Sequence, residues 1–226
     1  MAQQAYKGDV LQKIAGLSFI VGSILLIVFN ILFPRASDPS DAAQFIQKVA
    51  DNRGGLWEID NLLLAVGIWG ILIGATGVYR SITTGGAAAW ARLGYYGLVV
   101  GTALWTALFA LNGFGLSQVV KEMGTDKVGE SLVLMTNGLF SMVVIEWWLA
   151  LTFLGIGMAL SAVYPKGLGW VIIILGVATV VVGVLQGLGG PSKTLTNVLF
   201  PIVSILSTLW TLVVGIWITR REMKAM

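Results

Sequence analysis

The sequence predicts an all-α, polytopic membrane bundle of six transmembrane helices, with both termini cytoplasmic and one short amphipathic outer helix. Three observations predict it. Of 226 residues 57% are hydrophobic and only 11% charged, where soluble domains carry about a quarter. The apolar residues fall into six runs near twenty residues long, enough to cross a bilayer as helix. Lys and Arg concentrate in alternate connections, the pattern that orients membrane proteins.

The windows run in order over 14–33, 61–79, 93–112, 143–163, 169–187 and 198–219, within one domain spanning the chain. The first is too long for a signal-peptide apolar region and no small-x-small cleavage site follows, so it reads as retained. After it, Asp38 reads as an N-cap, Pro39 as the first helical residue and Asp41 as a charge favoured at a helix start. Ala42, Phe45, Ile46, Val49 and Ala50 then recur with helical spacing, predicting the amphipathic helix over 39–52, ended by Gly54 and Gly55. That helix either lies on the outer surface or caps the bundle, or it acts as a lid; the first reading needs fewer assumptions. Ser117–Glu130 reads as a polar loop. Ser131–Phe140 either prolongs the fourth helix or breaks around Asn137 and Gly138. Pro165 is expected to end that helix. The 29 glycines are ordinary where membrane helices pack closely.

The charges set the orientation. One side carries Lys7, Lys13, Arg80, Arg92, Lys166, Arg220, Arg221 and Lys224 against Asp9 and Glu222. The other carries six basic residues (Arg35, Lys48, Arg53, Lys121, Lys127, Lys193) and eight acidic ones, Asp126 among them. The basic side is expected to be cytoplasmic. Only Glu146 lies inside a window.

Depth follows from the helical rise of 1.5 Å per residue. Counted from the inner ends, Asn30, Asp60, Asn112, Glu146, Gln186 and Asn197 all fall 17 to 23 residues away, near the outer edge of the hydrocarbon. Each shares a helix face with small residues, as Asn197 does with Pro201, Ser204, Thr208 and Thr211. Membrane helices approach one another on such faces, so these six residues are expected to form a polar cluster near the outer mouth. The plainer reading makes them interfacial, beside an aromatic belt of Trp57, Trp147 and Trp148. Glu146 is the strongest candidate, because an intramembrane ionisable group is expensive. Its structural alternative is an ion pair with Arg35 or Lys193. Trp69, Trp105, Phe153 and Trp210 could form an apolar floor, or simply pack between helices.

The chain has no Cys and no His. No disulfide, thiolate or imidazole metal ligand or His-based triad can form, and no cofactor or metal is expected. The GxxxG pairs read as packing faces, and the glycine run before Pro191 lacks a phosphate-loop lysine. No mid-span Lys, Arg ladder or chain of acids appears. Nucleic acid is not an expected partner; membrane lipids are, with a hydrophobic small molecule or other membrane subunits as further candidates.

Lys13-Ile14-Ala15-Gly16, then Trp57-Glu58-Ile59-Asp60-Asn61-Leu62-Leu63-Leu64 and Tyr79-Arg80 resemble uncharacterised six-helix prokaryotic integral membrane proteins of the domain-of-unknown-function kind, mainly over the first three spans. The resemblance implies the six-helix architecture and a prokaryotic cytoplasmic membrane, but no activity and no site residues. The expected function is non-enzymatic: an outward-opening pocket for a small amphipathic or lipid-like ligand, or an accessory subunit of a membrane complex. The alternative is a transporter of a small or hydrophobic solute. An outer cavity above about 300 Å³, reached by Glu146 and Asn112, would favour binding. A continuous passage to the inner face would favour transport.

Overall fold

The computed structural model describes residues 10–125 and 127–225, and its elements are helical with no strand among the described residues. Lys7, Asp9 and Asp126, counted above, lie outside them. The helices are α1 (Val10–Leu32), α2 (Ala42–Asn52), α3 (Leu56–Ser81), α4 (Gly85–Ala110), α5 (Leu116–Met123), α6 (Lys127–Leu160), α7 (Lys166–Gly189) and α8 (Phe200–Ala225). Two π-helical turns, Leu111–Gly115 and Leu195–Leu199, join α4 to α5 and lead into α8. Six helical stretches are long and apolar enough to cross a membrane, so the chain has the form of a multi-pass membrane protein.

The spans pack as a ring in chain order, α1–α3–α4–α6–α7–α8, closed by α8 against α1. Small residues let the backbones touch. A Cβ on Gly94 of α4 would lie 2.7 Å from the Ala150 carbonyl oxygen and 2.8 Å from the Leu154 Cα, both on α6. One on Gly169 of α7 would lie 2.7 Å from the Gly155 oxygen of α6. Gly22 of α1 meets Gly67 and Gly70 of α3 in the same way. Apolar burial drives little association between helices in lipid, so this close approach carries much of the packing. Near the end holding both termini, the fully buried Phe19 fills the space beside Gly74 of α3 and Gly215 of α8.

Several boundaries differ from the sequence expectation. Asp41, not Asp38, caps α2, accepting from the Gln44 amide at 3.1 Å. Asp38 instead closes a turn, accepting from the Ser40 amide at 3.1 Å and its hydroxyl at 2.5 Å. That leaves Pro39 ahead of the helix. The Ser40 bonds, and to a lesser degree Lys193 at 3.6 Å, hold the Asp38 carboxyl below its ordinary range. The expected polar loop over 117–130 is largely helical, because the first π-turn absorbs one extra residue and lets the helix run on to Met123. Gly124, at φ +78°, then reverses the chain. Of the two alternatives for 131–140, the uninterrupted helix is the one formed, so α6 is 34 residues long. Pro165 does not end it. The helix stops at Leu160, and Pro165 instead precedes α7.

The amphipathic helix α2 sits on the bundle end opposite the termini. Ile46 and Val49 are buried with Trp57, Leu116, Val120 and Val133 in a small second core.

Candidate functional site

Under α2 the six-membered ring opens into a cavity of about 180 Å³. All six spans and the α1–α2 connection line it. Its lower walls are apolar on α3, α4 and α6 (Leu64, Ile68 and Ile71, Leu108 and Phe109, Leu151) and hydroxyl-bearing on α8 (Ser204, Ser207, Thr208, Thr211). Ile71 lies ten residues beyond Asn61, so the cavity reaches roughly 15 Å into the bundle.

Its upper wall is made of carboxamides. Five of the six asparagines in the chain line it, Asn30, Asn61, Asn112, Asn137 and Asn197, together with Gln186. Both π-turns contribute one, Asn112 and Asn197. A π-turn redirects side chains by one extra residue and recurs at functional sites. Asn112 is held in place from outside, since Trp57 donates its indole N–H to the Asn112 carbonyl at 2.6 Å. Glu58 binds the amides of Gly54 and Gly55 and the hydroxyl of Ser117, tying the start of α5 to the start of α3.

The cavity shows a consistent polarity. Asn30, Asn61 and Asn197 each donate through Nδ2 to a backbone carbonyl, of Leu26, Trp57 and Ala36, at 2.9, 2.8 and 3.2 Å. Thr208 and Thr211 donate to helix carbonyls at 2.8 and 2.7 Å, as Ser207 does to Val203. With these donors engaged, Asn30, Asn61 and Asn197 present acceptor oxygens, while Asn112, Asn137 and Gln186 keep carboxamide N–H groups in the same lining. Oδ1 of Asn61, Oδ1 of Asn112 and Oγ1 of Thr196 are buried without a hydrogen-bond partner, as is the indole N–H of Trp105. Arg35 is the one charged residue among the lining residues described. It is exposed at the rim and donates to the Asn30 carbonyl at 2.8 Å, and partial burial lowers its pKa.

Of the expected polar cluster, then, Asn30, Asn112, Gln186 and Asn197 meet at the cavity, and Asp60 and Glu146 do not line it. Glu146 faces α4: a Cβ on Gly97 would lie 3.4 Å from its Oε1, and one on Gly101 would collide with its Oε2. That is the level of Gly101, eleven residues from Asn112 and roughly 16 Å below the amide wall. The depth estimate failed because α6 starts at Lys127, far outward of its apolar window, and ends at Leu160, short of the window's inner end. Glu146 pairs with neither Arg35 nor Lys193, and its Oε2 has no partner. Asp60 is fully buried with both carboxylate oxygens unpartnered. Of the expected floor, only Trp105 lines the cavity. Trp69 bonds Thr106 on the outside of the α3–α4 pair, Phe153 packs on Trp90, and Trp210 donates to Leu168.

Sequence reasoning passed over Asn61, choosing its neighbour Asp60 for the glycine stripe below it. That stripe packs on α1. The signal for Asn61 was present, because Leu64, Ile68 and Ile71 share its face at helical spacing and line the cavity with it.

Glu146→Gln is therefore expected to leave cavity occupancy unchanged and to raise thermal stability by on the order of 1 kcal/mol at neutral pH, since it replaces an unpaired carboxylate within the helix contact by a neutral amide of the same shape. Loss of a co-purifying ligand in that variant would return Glu146 to the site.

The fold and the cavity together define a class: a multi-pass helical bundle with an amide-walled cavity beneath a capping helix. Beyond that class the chain matches no protein-family model, no curated protein and no solved structure.

Proposed function

We propose that this chain is a non-enzymatic binding protein of a prokaryotic cytoplasmic membrane, with cytoplasmic termini, whose cavity holds a small amphipathic or lipid-like molecule on the outer side. The observation that carries this reading is the division of one cavity into an amide wall under α2 and, below it, apolar walls on α3, α4 and α6, where α8 contributes hydroxyls engaged with helix carbonyls. Such a division suits a molecule with a polar head and an apolar body. The volume of about 180 Å³ is below the 300 Å³ expected for a drug-sized ligand. The occupant is therefore small, or only its head and the first part of its chain enter. The Lys and Arg distribution supports the orientation.

Catalysis finds no support, because the hydroxyls of Ser207, Thr208 and Thr211 are engaged with helix carbonyls and no base stands beside them to activate a nucleophile. Transport needs a way through the other half of the bundle, where Phe19 packs between Gly74 and Gly215.

Native mass spectrometry of protein purified in mild detergent tests the reading, with Ser204→Phe as the filled control. Ser204 lines the cavity and is partly buried, so a ring there takes up the space. The expected result is a bound small molecule on the native protein, reduced about tenfold or more in Ser204→Phe at unchanged helicity. A native protein free of ligand, or equal occupancy in the two, would overturn the reading.

A further inference from the structure

We propose that the cavity selects an uncharged head group that donates hydrogen bonds, an alcohol or polyol carried on an apolar chain. It would discriminate against heads that only accept, such as ketones and quinones, and against charged heads. The inference rests on the cavity being a ligand site and goes further by naming the chemistry of the head.

The argument is one of supply and demand for protons. Asn61 is 1% exposed, and its Nδ2 is committed to the Trp57 carbonyl at 2.8 Å. That bond fixes the amide's orientation, so its Oδ1 can be satisfied only by a donor. The Oδ1 of Asn112, in the adjoining π-turn, has the same need. Gly113 packs directly on Asn61, which places these two residues together at the upper wall. The unpartnered Thr196 hydroxyl can accept as well as donate. An unmet buried acceptor costs free energy, and a hydroxyl from the ligand recovers it. A ketone offers no proton and leaves both carboxamide oxygens unmet. An anion brings negative charge against the same oxygens. An ammonium head would suit them, but no acidic residue is among the described lining residues and the one charge at the rim is Arg35. Donors stand beside these acceptors too, the Thr196 hydroxyl and the carboxamide N–H groups of Asn112, Asn137 and Gln186, with the Trp105 indole N–H about 10 Å deeper. An alcohol answers both kinds, whereas a ketone answers the donors and leaves the Asn61 oxygen unmet.

The test uses full-length protein in detergent and three probes of matched chain: 1-decanol, 2-undecanone and decylamine. Binding is read as the rise in melting temperature with probe concentration, and Ser204→Phe corrects for partition into the micelle. The alcohol is expected to bind about tenfold tighter than the ketone or the amine, a difference of about 1.4 kcal/mol. Asn61→Leu should reduce that preference to within about twofold. If Asn61→Leu does not fold, Asn112→Leu serves the same purpose on the second oxygen. Equal or tighter binding of the ketone or the amine would overturn this proposal and leave the ligand site standing. Failure of all three probes to exceed their effect on Ser204→Phe would overturn the ligand-site reading itself.

Discussion

Gly94→Val is expected to destroy the folded bundle or to destabilise it by about 3 kcal/mol or more. The added atoms would press on backbone, the Ala150 oxygen at 2.7 Å and the Leu154 Cα at 2.8 Å, and backbone cannot turn aside as a flexible side chain can. The strain falls on the α4–α6 contact, where Gly97 and Gly101 also lie against α6 and Gly157 of α6 lies against Ala87 and Ala91 of α4. Separating these helices removes one side of the ring around the cavity. Gly138→Ala is the matched control. It lies within α6 with nothing within 4 Å of the new methyl, and should gain a few tenths of a kcal/mol from helix propensity. Fluorescence-detected size exclusion after graded heating reads both variants. A Gly94→Val protein that melts with the native chain would show that the helices do not meet here.

Trp57→Ala carries the second large effect, expected at about 3–5 kcal/mol by analogy with buried large-to-small changes. Trp57 is fully buried, its ring centroid 5.0 Å from that of Phe33 and 5.5 Å from that of Phe45. Its N–H also holds the carbonyl of Asn112. One side chain thus anchors the capping helix, the end of α1 and the π-turn of the upper wall. Backbone amides of 42–52 should exchange with solvent much faster in Trp57→Ala, as α2 loses its seat. Trp57→Phe keeps the ring and loses the indole N–H, so it should cost about 1 kcal/mol and loosen the π-turn more than α2. Unchanged exchange over 42–52 in Trp57→Ala would dissociate α2 from this core.

The elements of the fold were legible because their causes are local. Length and apolarity of a run make a span, and Gly124 and Gly54, both at positive φ, mark chain reversals visible in the sequence. The polar face of α8 was legible too, since Asn197, Pro201, Ser204, Thr208 and Thr211 follow helical spacing and all line the cavity. The π-turns left no local signal, since each merely adds a residue to a helix that continues. Glu146 was misplaced in depth because the apolar window underestimates how far α6 runs outside it.

The sequence by itself determined six spans, a short amphipathic helix after the first of them and the small-residue stripes on which helices meet. These depend on residues within a few positions of one another along a single chain segment. Which stripe meets which neighbour was decided by tertiary structure alone. Contact between helices is a property of pairs of surfaces, and each glycine stripe could serve more than one partner. Once α4 took α6, the carboxylate of Glu146 was enclosed in their contact. The amides of Asn61, Asn112 and Asn197, beyond the crossing points, were left to wall the cavity.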